Sequence, residues 1–133
     1  MTNSECDCCA IAAVKARYFR FMDLKDWTSL RGVFADDARF DHPTLGIFEN
    51  IDNAVEALKE LIGDHWTSHE GSIPDVTITG PNAAHGIFAM TGHAIIANDE
   101  MGRSFGHYYD DFVRLDGVWK LSSLRLESTR RTV

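Results

Sequence analysis

The sequence predicts an α+β fold in which helices come first and a curved antiparallel sheet closes over them. Two observations carry this expectation. Apolar residues recur at spacings of three and four as far as Gly63, and at a spacing of two beyond it. Turn signals then divide the second half into long alternating runs, the strongest being Asp116–Gly117.

The first helix is expected from about Asp7 to Leu24. Ile11, Val14, Tyr18, Phe21 and Met22 form its apolar stripe, and Asp7 is the candidate N-cap. A short second helix follows from about Trp27 to Phe34, capped by Asp26. Asp36–Asp37 is expected to turn, with a short strand over Ala38 to Asp41 and another over Gly46 to Glu49. Asn50 is placed to cap a third helix from Ile51 to Ile62, whose buried face would be Ala54, Val55, Leu58, Leu61 and Ile62. Gly63 would stop it. His69 to Thr79 reads as a strand broken near Pro74, followed by strands over Ala84 to Ala97, Gly102 to Leu115 and Val118 to Thr129. Gly86, Gly92 and Gly106 are candidate bends or bulges. A curved sheet capped by helices leaves a hollow, which is where a ligand is expected.

A length of 133 residues suits one domain, with residues 1–6 expected to be flexible. Hydrophobic residues are 44% of the chain, enough for a core. The net charge of −7 argues against nucleic acid and against an anionic membrane surface as partners. No apolar run approaches the ~18 residues of a membrane span. Met1 to Asp7 is polar and acidic, unlike a signal peptide, so a cytoplasmic location is expected. Cys6, Cys8 and Cys9 form one cluster with no second pair of ligands. They are expected to be surface or helix-start thiols, and no metal is expected.

Several motifs resemble a known family. These are Tyr18, the run Met22-Asp23-Leu24-Lys25-Asp26-Trp27, Leu30-Arg31, Phe34-Ala35-Asp36-Asp37-Ala38, and the terminal Phe112-Val113-Arg114 with Asp116-Gly117-Val118-Trp119-Lys120-Leu121. Together they resemble SnoaL-like proteins of the nuclear transport factor 2-like superfamily over nearly the whole chain. The resemblance implies a cone-shaped sheet, mixed at its edge, around an internal pocket.

Within that superfamily the pattern is similar to the branch of scytalone dehydratase, hexachlorocyclohexane dehydrochlorinase and bile acid 7α-dehydratase. Such enzymes carry out eliminations with an Asp–His pair and no cofactor. The resemblance puts that pair at Asp23 and His69, a further pocket histidine near His93, and a Tyr-or-Lys position at Tyr18. A pocket tyrosine falls at His42, and a pocket asparagine near His107 or Tyr108. Met22 stands where scytalone dehydratase has tyrosine, so the substrate is expected to differ. Phe112, Trp66 and Phe88 are further candidate pocket walls, with Phe21 and Phe48 packing beside them.

The chemistry of these residue types agrees. Elimination needs a base near neutral pKa, and histidine is the usual one. A carboxylate on its other nitrogen fixes the tautomer and stabilises the imidazolium as it forms. Other readings of the same residues stay open. Asp23 could cap the next helix or pair with Lys25, and His69 could be a strand-edge histidine. His93 alternates with Thr91 and Ile95 as a core histidine would, and only one of His107 and Tyr108 can face the pocket. Arg125 shares a face with Trp119 by alternation and could reach the pocket.

The expected function is a cofactor-free dehydratase-type lyase acting on a small, largely apolar molecule. The alternatives are a cyclase or an isomerase, or a non-catalytic binding or partner-subunit domain. Leu121 alternates to the face opposite Leu124 and Leu126, so both sheet faces are expected to need cover, by a homodimer or homotrimer.

Overall fold

The computed structural model describes residues 6–132, so the expectation of a flexible start lies, apart from Cys6, outside the described residues. In order, the elements are α1 (Asp7–Asp23), α2 (Trp27–Gly32), β1 (Phe34–His42), β2 (Gly46–Phe48), α3 (Ile51–Ile62), β3 (Thr67–Gly71), β4 (Asp75–Gly80), β5 (Ala83–Ile95), β6 (Met101–Leu115) and β7 (Val118–Thr132). The strands form one open curved sheet in the order β2-β1-β7-β6-β5-β3, with β4 also pairing β5. β1 runs parallel to β7 and every other pairing is antiparallel. Among the described residues, no helix is long and apolar enough to cross a membrane.

Local chemistry explains most boundaries. Asp26 Oδ1 accepts from Ser29 N–H at 3.2 Å, and Asn50 Oδ1 from Asn53 N–H at 3.1 Å, as the capping argument requires. Gly63 ends α3 at φ 53°, and Asp116 (φ 50°) with Gly117 (φ 79°) makes the β6–β7 turn. Four expectations need correction. Cys6, not Asp7, precedes α1; the Asp7 carboxylate instead accepts from Arg114 and from Trp119 Nε1, pinning the helix start to the last hairpin. Asp36 and Asp37 lie within β1, where the register against β7 shifts, rather than in a turn. Leu61 is 44% exposed, because it stands on the flank of α3 rather than its buried stripe. Gly86 and Gly92 sit in regular register; they leave room for the rings of Phe88 and His69 rather than bend the strand.

The inner face of the sheet follows from pairing. Phe88, Met90 and Gly92 oppose Tyr108, Gly106 and Ser104 with no break in register. β7 joins this face through two bulges against β6, one between Asp111 and Phe112 and one between Phe105 and Gly106. Each bulge exchanges the faces that follow it. Leu121, Leu124 and Leu126 therefore all point inward, exposed by 0%, 0% and 8%. The expected opposition of Leu121 to the other two does not occur. Arg125 falls on the outer face, over the Tyr109 ring and paired with Glu127, and not in the pocket.

The core also holds one ion pair. Lys15 lies within the buried stripe of α1, and Asp110 lies between Tyr108 and Phe112 on the inner face of β6. Lys15 Nζ is 2.9 Å from Asp110 Oδ2, with the two side chains 1% and 0% exposed. The contact lacks a well-aligned hydrogen bond. The ammonium is further held over the rings of Tyr108, 3.3 Å from the centroid, and Tyr18, at 4.4 Å. Burial pushes Lys15 down to about 8 and Asp110 up to about 6, and their mutual attraction limits both shifts.

Removing one partner strands a buried charge, so Lys15→Met or Asp110→Asn alone should cost about 3–5 kcal/mol in urea unfolding. The double variant Lys15→Met with Asp110→Leu should recover most of that loss. At Gly106 a methyl group would collide with the Glu127 carbonyl oxygen. Gly106→Ala should therefore cost about 1–3 kcal/mol in the same assay.

Candidate functional site

α1 ends at Asp23, and its carboxylate reaches across to β3. Oδ1 accepts from His69 Nδ1–H at 2.7 Å and from Thr67 Oγ1–H at 2.9 Å. Oδ2 accepts from the His69 backbone N–H at 2.8 Å. The alternatives of a cap for α2 or a pair with Lys25 are not what forms, since Asp26 does the capping. A carboxylate at the negative end of a helix dipole is disfavoured when bare and favours a cationic partner. The imidazole supplies one. Because Nδ1 carries the donated proton, Nε2 is the free nitrogen of the neutral ring. Phe19 lies parallel to that ring, with centroids 6.3 Å apart at 4°. A Cβ on Gly92 would sit 3.1 Å from His69 Cδ2, so glycine there leaves the ring its place.

His69 lies on the wall of a cavity of about 380 Å³. Its apolar wall includes Met22, Leu58, Met90 and Leu126, and its polar wall includes Tyr18, Tyr108 and His42. The rings of Tyr18 and Tyr108 meet edge to face, 5.9 Å between centroids, and burial pushes both phenols well above their ordinary range, so they stay protonated. His42 closes the end of β1. Its Nδ1 accepts from the backbone N–H of Thr44 at 3.1 Å and of Leu45 at 3.2 Å. Its ring stacks on Phe40, 5.9 Å between centroids at 3°. Burial, then the charges of Arg131 and His69, push it down to about 4. His42 is therefore a neutral imidazole at pH 7 with its proton on Nε2. A second, open hollow of about 660 Å³ lies along Ala12, Lys15, Phe19 and Asp23, and His69 borders it as well. The smaller cavity is where His69, His42 and the two phenols converge, so the chemistry is sought there.

The remaining expected residues are placed differently. His107 alternates onto the outer face and packs beside Tyr109, leaving Tyr108 as the residue that faces in. His93 reaches the cavity only at its edge, because it pairs with Ser68 and Arg103 on the face opposite Gly92. Phe112 is core, packed on Phe88 at 6.1 Å. Phe88 borders the second hollow and not the first. Trp66 is 53% exposed and lines neither.

Sequence reasoning missed Thr67, Lys15 and Asp110. A signal was present for the last two: a cation on the apolar stripe of α1 and an anion between Tyr108 and Phe112 sit on faces that must meet.

The model of the SnoaL-like domain family matches residues 6–125. No curated protein matches the chain. Among solved structures it is similar to a type 2 hexachlorocyclohexane dehydrochlorinase, LinA, at TM-score 0.85 and 19% identity, covering 93% of this chain and 86% of that one. It is similar to a protein of Novosphingobium aromaticivorans assigned as a scytalone dehydratase, at 0.84 and 24%, covering 92% and 84%. A protein of Kribbella flavida gives 0.84 and 24%, covering 93% and 91%. These likenesses establish the shared fold. The order of helices and strands, the open cone-like sheet and the match over residues 6–125 agree, and the chain belongs to the SnoaL-like domain family of the nuclear transport factor 2-like superfamily.

Proposed function

We propose that the protein is a cofactor-independent lyase of the dehydratase type, with Asp23 and His69 as its general-base pair. The observation that carries this is the 2.7 Å bond from His69 Nδ1 to Asp23 at the wall of a largely apolar cavity. In the reaction, His69 Nε2 takes a proton from carbon next to a carbonyl. Asp23 stabilises the imidazolium as it forms. The electron pair of the broken C–H bond becomes the new C=C bond as the C–O bond at the neighbouring carbon breaks. The proton returns to the departing oxygen, and water leaves.

His42 and the phenol pair supply donors. A neutral His42 offers Nε2–H, and a protonated Tyr18 or Tyr108 offers O–H, to the carbonyl oxygen or to the leaving hydroxyl. Donors aimed at a developing enolate are worth about 3 kcal/mol each in comparable oxyanion sites. An isomerase or cyclase would use the same proton abstraction without expelling water. The resemblance of the fold to LinA and to the protein assigned as a scytalone dehydratase supports elimination. The expected homodimer or homotrimer loses the argument that suggested it, since Leu121, Leu124 and Leu126 all face inward; a monomer by light scattering at micromolar concentration would reject it.

Asp23→Asn and His69→Ala should each lower kcat by about 10²–10⁴ while retaining the wild-type circular dichroism spectrum. The assay is the rise in absorbance of the conjugated product, an enone from small β-hydroxy ketones and an enoate from β-hydroxy acids. Turnover surviving both substitutions would sink the proposal.

His42 adds a pH test. Its folded pKa is depressed to about 4 from 6.5, so the stability it contributes is complete above pH 6.5 and is lost as pH falls toward 4. Urea unfolding between pH 7 and pH 4.5 should show a steeper loss in the wild type than in His42→Asn, whose Oδ1 can replace the Nδ1 acceptor without the basic site.

A further inference from the structure

The charge of the cavity is opposite to that of the chain. The sequence holds 20 Asp and Glu against 13 Lys and Arg. Yet among the described residues no Asp or Glu lines the 380 Å³ cavity, whereas Arg103 and Arg131 do. Asp23 stands behind the His69 ring and faces the other hollow. An apolar, neutral substrate needs no such arrangement.

Arg131 is the informative member. It lies on β7 directly opposite Ser104, whose Oγ would be 2.6 Å from a Cβ on Gly92, so both belong to the inner face beside the His69 ring. Its Nη1–H donates to Thr44 Oγ1 at 3.0 Å, which draws the guanidinium across the cavity mouth toward the loop after β1. His42 begins that loop. The depressed basicity of His42 owes part of its shift to Arg131 and part to His69, so the three lie within Coulombic reach of one another. Arg31, Arg39, Arg114 and Arg125 each have a carboxylate partner; among the described residues, Arg17, Arg20, Arg103, Arg130 and Arg131 do not, and of these Arg103 and Arg131 border the cavity, Arg131 with the Thr44 hydroxyl as its hydrogen-bond partner. A guanidinium offers five N–H donors in a planar fork suited to a carboxylate.

We infer that the molecule bound in this cavity is a monocarboxylate: an apolar body lies against Met22, Leu58 and Leu126, and its carboxylate is gripped at the mouth by Arg131. His42 Nε2–H faces the same space and adds a neutral donor. This rests on the reading of the cavity as the substrate site, and it narrows the substrate from any small apolar molecule to one carrying an anionic head. Arg131 acts here as a specificity residue and takes no part in proton transfer. Because it sits at the mouth, its attraction is screened by salt.

The test is calorimetric titration of the full chain with 2-naphthoate and with its neutral match, 2-naphthamide, at low ionic strength. The acid should bind about tenfold more tightly or better, and 0.5 M salt should narrow the gap. Arg131→Gln should abolish the preference with amide affinity and melting temperature unchanged, and Arg131→Lys should keep part of it. Equal binding of acid and amide, a preference that survives Arg131→Gln, or no saturable binding of either would overturn the inference. His69→Ala separates this from the catalytic reading. A preference retained there without turnover by any variant keeps the anion site and discards the lyase. Turnover of neutral substrates with no preference does the reverse.

Discussion

The carboxylate of Asp23 is the constraint on which the site depends. It is the last residue of α1, and it accepts three hydrogen bonds from a strand more than forty residues further on. Two of these tie the backbone N–H of His69 and the hydroxyl of Thr67, and the third orients the imidazole. A single side chain therefore sets the distance between helix and sheet edge and also chooses the tautomer of His69. Charge-assisted bonds of this kind are shorter and stronger than neutral ones, which suits a joint that must hold a ring in one orientation.

Behind this joint the core accepts an unusual cost. The Lys15–Asp110 pair is almost completely removed from water. Apolar residues of similar volume would often serve stability as well or better. The position of the pair suggests what it offers in return. Its ammonium sits against the faces of Tyr18 and Tyr108, the two phenols on the cavity wall. Those rings are held by a charge that, among the described residues, has Asp110 as its counter-ion and cannot move without losing it. The same burial keeps both phenols protonated, so each retains an O–H to donate.

The cavity and the chain surface carry opposite electrostatic instructions. A strongly acidic chain repels anions at long range, yet the cavity is bordered by the guanidinium groups of Arg103 and Arg131. Under salt screening the long-range field fades within about a Debye length, ~8 Å at physiological ionic strength. Local groups then decide what binds. Under the monocarboxylate reading, this division is how one small fold keeps an acidic exterior while selecting a charged head group inside.

The resemblance to a known family implied the Asp23–His69 pairing, while the sequence by itself determined the order of elements, both side-chain helix caps, the Gly63 stop and the β6–β7 turn. Each of these depends on local backbone chemistry or on a motif of short range. Period-two alternation also chose correctly that Tyr108 or His107, but not both, would face inward. What it could not carry was the face of any residue beyond a bulge. One extra residue on β7 brings Leu121, Leu124 and Leu126 to the same side, and turns Arg125 outward. The second bulge returns Arg131 to the inner face, where it meets Thr44 from the far edge of the sheet. A bulge is fixed by packing between strands, here by the approach of the Glu127 carbonyl to Gly106, and not by the residues that precede it. The meeting of Lys15 with Asp110 is tertiary for the same reason: each reads alone as a charge on the wrong face, and only the closure of α1 on β6 makes them partners.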